Sequence, residues 1–387
     1  MAAPGAYGRR QGVPGVWRHF DVVLVAGTLL ASLFGCLMVY TATRDQLEAA
    51  GLSPTYYVKK QAIFMIVGLV VMVAVAAIDY RKFRDWAPAI YGFSVLLLIA
   101  VFVVGHKSKG AQAWFQFGSY QLEPSEFVKI AMIIALATYC AASKGSLSGR
   151  ALVAVMGLSA VPFLLIYKQP DLGTALVLAA VLAAVLLIGG AAPRHLAVLA
   201  VITAVASFGV VHFGVLKSYQ QARLTSFVNS PDQPDAALLR SAAGANLYNI
   251  AEAKTAIGNG GVTGRGLGKG TMTNLSYVPE QRTDFIFTAV GEQTGLVGSG
   301  LLLVLFCLVV WRTWQAATLS RDKAGMLMCV GVLAMLTFQV FENIGMTMGI
   351  MPVAGIPLPF MSYGGSAMIA TFAGIGLVLS VRMRRFT

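Results

Sequence analysis

Five carboxylates stand in or beside long apolar stretches: Glu126, Asp171, Asp284, Glu292 and Glu342. An ionised side chain at mid-bilayer costs about 2.5–3.5 kcal/mol on insertion scales, so an acid kept there has a partner or a task. Glu126 and Lys129 are spaced i, i+3 at the start of an apolar run and can meet on one helix face. That is either an ion pair that lets both enter the membrane or a pair that organises a cavity, and the two readings are compatible. Asp171, in KQPDLGT between two apolar runs, reads as an N-cap for a helix starting at Leu172 or as a polar wall of a site. Asp284 follows Pro279-Glu280-Gln281-Arg282-Thr283 and directly precedes Phe285-Ile286-Phe287, at the water end of a long apolar run. It reads as an N-cap, or as a carboxylate facing a cavity at the water–membrane boundary. A general base belongs at that boundary if the substrate has a lipid tail and a polar head.

The glycine-rich stretch 258–270, GNGGVTGRGLGKG, invites a phosphate-loop reading that fails on spacing. Thr263 stands where the first glycine of G-x-x-x-x-G-K-[ST] is needed, and Lys269 is followed by Gly270. A nucleotide role is set aside. The stretch could still bring backbone close to a pyrophosphate, with Lys254, Arg265, Lys269 and Arg282 supplying cations. The four histidines are scattered, and neither a metal cluster nor a Ser-His-Asp arrangement can be proposed from them. The four cysteines lack metal or CxxC spacing and read as small packing residues.

These side chains must be held by membrane helices. The chain is 57% hydrophobic and only 12% charged, with a mean hydropathy of +0.73, whereas soluble domains carry about 25% charged residues. The net charge of +13 fits cytoplasmic loops of a membrane protein better than a nucleic-acid surface. A span needs about 20 apolar residues. The candidates are 22–42, 61–79, 87–105, 126–142, 151–167, 173–190, 195–216, 285–311, 324–350 and 365–381. The first reads as a signal anchor rather than a cleaved peptide. With the N-terminus inside, the inner segments hold 15 Lys and Arg and the short outer loops hold six. This bias predicts both termini in the cytoplasm and an even number of spans.

The expected organisation is an all-α integral membrane protein of about ten transmembrane helices: a tail 1–21, helices over 22–216, a large extracytoplasmic loop 217–284 containing short helices, helices over 285–382 and a tail 383–387. Within the loop, 217–235 is polar and turn-rich, and 236–257 reads as an amphipathic helix. Residues 106–125 carry Trp114, Phe115, Phe117 and Tyr120, which suit an interfacial belt. Residues 351–366, MPVAGIPLPFMSYGGS, read as a broken or re-entrant segment, tolerated at membrane depth only where protein or a water-filled cavity covers it.

Five pieces in order, EPSEFVKIAM (123–132), KQPDLGTALV (168–177), AIGNGGVTGRGLGKGT (256–271), VPEQRTDFIFTAVGEQTGLVG (278–298) and NIGMTMGIMPVAGIPLPFMSYGGS (343–366), resemble the SEDS family of bacterial cell-wall glycosyltransferases. The resemblance covers nearly the whole chain, and the NIGM start and PFMSYGGS ending are nearer the RodA branch than the FtsW branch. It implies a ten-helix fold with a large fourth outer loop in the bacterial cytoplasmic membrane. It also implies polymerisation of lipid II, the undecaprenyl-pyrophosphate-linked disaccharide-pentapeptide, into glycan strands. A class B penicillin-binding protein is the implied partner, and a Mg or Mn ion the implied cofactor. The family's essential aspartate falls on Asp284, its intramembrane Glu–Lys pair on Glu126 and Lys129, and a further motif acid on Asp171. Glu126, Lys129, Asp171, Arg223, Lys254, Gln281 and Arg282 make up the candidate substrate-binding set, with no metal ligand named. Two other readings compete: a flippase for lipid II, which needs the cavity but no base, and a scaffold for the penicillin-binding partner, in which Asp284 would be silent.

Overall fold

The computed structural model describes residues 16–108, 111–143, 147–212 and 242–386. Arg223, and the part of the large loop before residue 242, lie outside the described residues. The helices run in chain order as α1 (Val22–Ala49), α2 (Tyr56–Ala77), α3 (Tyr80–Asp85), α4 (Ala87–Val104), α5 (Pro124–Ala142), α6 (Gly149–Lys168), α7 (Leu172–Ile188) and α8 (Pro193–His212). After the undescribed stretch come α9 (Ala242–Gly260), α10 (Thr271–Asn274), α11 (Ile286–Thr318), α12 (Lys323–Thr347) and α13 (Gly365–Met383). Among the described residues eight helices are long and apolar enough to cross a membrane, and Leu172–Ile188 and Pro193–Ile202 are shorter apolar helices. Together they account for the ten expected runs. This is an all-α membrane protein.

Local chemistry sets where helices begin. Asp21, Ser148, Asp171 and Asp322 each accept a backbone N–H from the first turn of the helix that follows. Pro124 opens α5, where its missing N–H costs nothing. Burial then sorts the helices into layers. The apolar stretch of α13 is 83% buried, those of α5 and α12 67% and 61%, and those of α4 and α6 only 22%. Helices α5, α12 and α13 therefore form the centre, and α4 and α6 present their apolar side chains outward.

One segment differs from expectation and a second agrees with it. Residues 106–125 are more than a belt: β1 (His106–Ser108), β2 (Ala111–Phe117) and β3 (Tyr120–Leu122) form an antiparallel sheet in sequence order. The β2–β3 pair closes through Gly118, whose φ of +60° suits a two-residue turn. Aromatic belts and strands draw on the same residue types, so composition did not separate them. The amphipathic helix expected over 236–257 is described over Ala242–Gly260 as α9. It does not float. Ile250 and Ala253 pack with Val278, Phe285, Met346 and Val353 in a second small core.

Helix α11 is broken at Gly295, where φ is 63° and ψ is −161°, a backbone region open essentially to glycine alone. The glycine-rich stretch fills this break. Arg265 N donates to Glu292 O at 2.9 Å and Gly266 N to Gln293 O at 3.0 Å. In return, Leu296 N donates to Gly261 O at 2.9 Å and Val297 N to Val262 O at 3.0 Å. The loop thus satisfies backbone groups that the break leaves without helical partners. The contact is backbone on backbone: a Cβ on Gly264 would sit 2.2 Å from Gln293 O, and one on Gly260 2.0 Å from Gly291 O. Glu292 secures the far end, accepting Met272 N and Thr273 N at 2.8 Å each and Thr273 Oγ1 at 2.6 Å.

Candidate active site

The helix order brings the start of α2, α5, α7, α11 and α13 and the close of α1, α4 and α12 to one end of the bundle, together with α9 and the sheet. Residues 351–364, without regular structure, cross the middle of that end. Their buried backbone is satisfied by side chains, as irregular backbone among apolar helices requires. Asn343 Nδ2 donates to Ile356 O at 2.7 Å, Leu358 N donates to Ser362 Oγ at 2.8 Å, and Gln61 Nε2 donates to Ser362 O at 3.0 Å. Gly173 of α7 and Gly35 of α1 let the segment approach closely: a Cβ on either would lie within 2.8 Å of its backbone.

This segment holds the Asp284 turn. Ser362 Oγ donates to Thr283 O at 2.5 Å, Tyr363 N donates to Arg282 O at 2.8 Å, and Asn343 Nδ2 donates to Asp284 O at 2.7 Å. Three consecutive carbonyls are therefore fixed from α12 and the 351–364 segment. Asp284 does not cap α11. The N-cap is Phe285, with no side-chain capping bond, and Asp284 lies one residue further out, half-buried. The chain turns through Glu280–Phe285 before the helix begins, with Thr283 N and Phe285 N both donating to Glu280 O.

Glu126 and Lys129 form a buried ion pair, Nζ to Oε2 2.7 Å, with side chains 5% and 2% exposed. Asp171 caps α7, with Oδ1 accepting Thr174 N at 2.9 Å, while its buried Oδ2 has no hydrogen-bond partner. One acid of this group was missed from sequence. Glu123, at the N-cap of α5, accepts Trp114 Nε1 at 3.1 Å and Ser125 Oγ at 3.0 Å, and its N–H donates to Ser366 Oγ at 2.8 Å. Burial, then the nearby charges of Asp171 and Glu126, push its carboxyl up to about 8. Its spacing of three from Glu126, just before Pro124, was the available signal.

The remaining candidates are dispersed around this end. Gln281 is buried and donates to Thr273 Oγ1 at 3.0 Å, joining the hydroxyl that Glu292 also holds. It therefore braces the glycine-rich loop. The guanidinium of Arg282 lies 4.4 Å from the centroid of the Tyr57 ring. Lys254, on α9, is exposed beside Gly349 at the end of α12. The pyrophosphate-cradle reading of 258–270 does not hold, since much of its backbone is engaged with α11. Among the described residues no group of three or more His, Cys, Asp or Glu could hold a metal ion, so no all-protein cage for Mg or Mn is described.

A multi-helix membrane bundle with a fixed carboxylate turn and a buried Glu–Lys pair defines the class: a polytopic membrane protein with a polar site at one end. The chain belongs to the FtsW/RodA/SpoVE family, described as cell cycle proteins, whose match spans residues 21–386. It is 35% identical over 372 residues to peptidoglycan glycosyltransferase MrdB of Escherichia coli (strain K12), covering 95% of this chain and 94% of that protein. A chain in a structure described as the coordination of polymerization and crosslinking by a peptidoglycan synthase complex matches with TM-score 0.79 and 28% identity, over 95% of this chain and 99% of that one. The crystal structure of rod shape determining protein RodA from Thermus thermophilus matches with TM-score 0.69 and 28% identity, over 96% and 99%.

Proposed function

We infer that this chain is a peptidoglycan glycosyltransferase that polymerises lipid II into glycan strands, in the RodA-like role of cell elongation and shape maintenance. The observation that carries the mechanism is the fixed Asp284 turn, with three successive carbonyls hydrogen-bonded from α12 and the 351–364 segment. A base held in place before substrate arrives needs no reorganisation during the reaction. Asp284 takes the proton of the acceptor sugar 4-hydroxyl as that oxygen attacks C1 of the donor. The C1–O bond to the lipid pyrophosphate breaks, and its electron pair leaves with the phosphate. Lys129, Arg223, Lys254 and Arg282 are the cations proposed to meet the growing negative charge. A Mg or Mn ion stays in the proposal only as a companion of the pyrophosphate. The site end faces outward in this reading, with both termini in the cytoplasm, as the Lys and Arg bias favours. A class B penicillin-binding protein is the proposed partner that crosslinks the product.

The test is polymerisation of labelled lipid II by the purified protein, with and without that partner. Polymer from the wild type and none from folded Asp284→Asn supports the reading. Lipid movement in proteoliposomes without polymer would favour a flippase, and normal polymer from folded Asp284→Asn removes Asp284 from the mechanism.

A further inference from the structure

At the same end of the bundle four aromatic rings from three elements interlock. Tyr57 and Phe64 come from α2, Tyr120 from β3 and Tyr363 from the crossing segment. Ring centroids are 5.1 Å apart for Tyr57–Tyr363, 6.3 Å for Phe64–Tyr363 and 5.9 Å for Phe64–Tyr120, all edge to face. Two cations frame the row. Arg282 lies 4.4 Å from the Tyr57 centroid, and Lys60 lies 5.2 Å from the Tyr120 centroid while donating to Ser119 O at 2.9 Å.

A membrane-interface belt explains single rings on the outside of a bundle. It does not explain a row that joins α2, the sheet and the backbone of the Asp284 turn. Tyr363 is in the row through its ring and bonded to Arg282 O through its N–H, two residues from Asp284. Burial pushes the Tyr363 hydroxyl up to about 12, so at neutral pH it stays a neutral donor and acceptor. Lys60 is spent on Ser119 O and the Tyr56 hydroxyl, at 2.9 and 2.7 Å, which leaves Arg282 as the cation on the Tyr57 ring. The carboxylates Glu123, Glu126 and Asp171 cluster instead at the start of α5 and α7.

We propose that this row is a carbohydrate subsite, holding a hexosamine ring of the glycan strand against Tyr57 and Tyr363, with Arg282 orienting it toward Asp284. A pyranose offers an apolar C–H face and a rim of hydroxyls, the complement of an amphipathic tyrosine. Orientation in such sites comes from a few placed polar groups, here Arg282 and the Tyr363 hydroxyl. The assignment rests on the glycosyltransferase reading, and the two can fail separately. If the wild type makes no polymer from lipid II, the reading falls.

If polymer forms, the subsite is tested with a lipid-free tetrasaccharide of alternating N-acetylglucosamine and N-acetylmuramic acid, using the full-length protein in nanodiscs. Hydroxyl-radical footprinting of the wild type should find Tyr57 and Tyr363 protected when the tetrasaccharide is added. Tyr57→Ala should weaken its binding about tenfold, and Tyr57→Phe should retain most of it, since the ring is kept. Product strands from Tyr57→Ala should be shorter, in proportion to the weakened hold. Protection confined to other residues, no protection, or unchanged binding and strand length in folded Tyr57→Ala and Tyr363→Ala overturns the subsite. The footprint needs no variant, so a misfolded mutant does not blunt the test.

Discussion

Asp21 and Asp171 cap helices at opposite ends of the bundle and differ in how far their oxygens are engaged. At the end away from the site, Asp21 is buried and both of its oxygens are engaged: Leu24 N at 3.1 Å, Arg312 through Nε at 3.0 Å and through a terminal nitrogen at 2.7 Å, and Arg382 at 2.9 Å. Arg384 is similarly filled, donating to Ala76 O, Ala77 O and Ser380. This network ties α1, α2, α11 and α13 together. At the site end Asp171 keeps a buried oxygen without a hydrogen bond, the Nε of Arg282 has none, and burial pushes the Glu123 carboxyl upward. A filled network is a clamp. Buried polar groups left short of partners cost stability, and they are expected where a ligand completes the set.

The sharpest break between the ends should come from Asp284→Asn. Loss of a general base removes about 10²–10⁴-fold of rate. Polymerisation should fall at least to that extent while thermal unfolding in detergent is unchanged, and a loss of unfolding temperature instead would make Asp284 structural. Next come the ion pairs. Asp21→Ala strands two arginines, and removing one member of a buried pair costs about 3–5 kcal/mol. Its unfolding midpoint should drop sharply, with activity per folded molecule preserved. Lys129→Ala should lose comparable stability and also activity. Adding Glu126→Gln should return much of the stability but none of the activity, which a double-mutant cycle measures directly. Equal recovery of both would make the pair a clamp like Asp21.

Gly295→Ala should have a smaller effect. A Cβ there would sit 2.3 Å from Gly264 N, at a φ of +63°. Strain of this kind costs about 1–3 kcal/mol, and amide exchange should quicken over 260–274 before the bundle itself opens. The mildest effect concerns pH. The Glu123 carboxyl is raised to about 8 from an ordinary value near 4.5, so the folded state binds the extra proton between those values. Stability should therefore decline as pH rises through that window. Glu123→Gln should flatten the unfolding temperature between pH 5 and about 8, and an unchanged slope would assign it to another group.

Much of this architecture was legible in the chain. Apolar runs place the membrane helices but stop short of the far ends of α1 and α11, because hydropathy is a property of the run itself. The Glu126–Lys129 pair and the Asp171 cap are local, fixed by spacings of three residues. The support of the Asp284 turn was not legible. Asn343 is 59 residues away and Ser362 is 79 from Thr283, and nothing local marks them as its partners. The break in α11 was hidden for the same reason. GEQTGLVG reads as uninterrupted helix until a loop some 30 residues earlier supplies the missing hydrogen bonds.

That loop carries one further consequence. The segment between α9 and α10 is a splint across a severed helix, with Arg265 and Lys269 exposed to any protease in the surrounding water. One tryptic nick there would be felt far from the cut, as two half-helices inside the bundle lose the strand that sets their bones. Exposed peptide bonds at this end thus guard a buried joint.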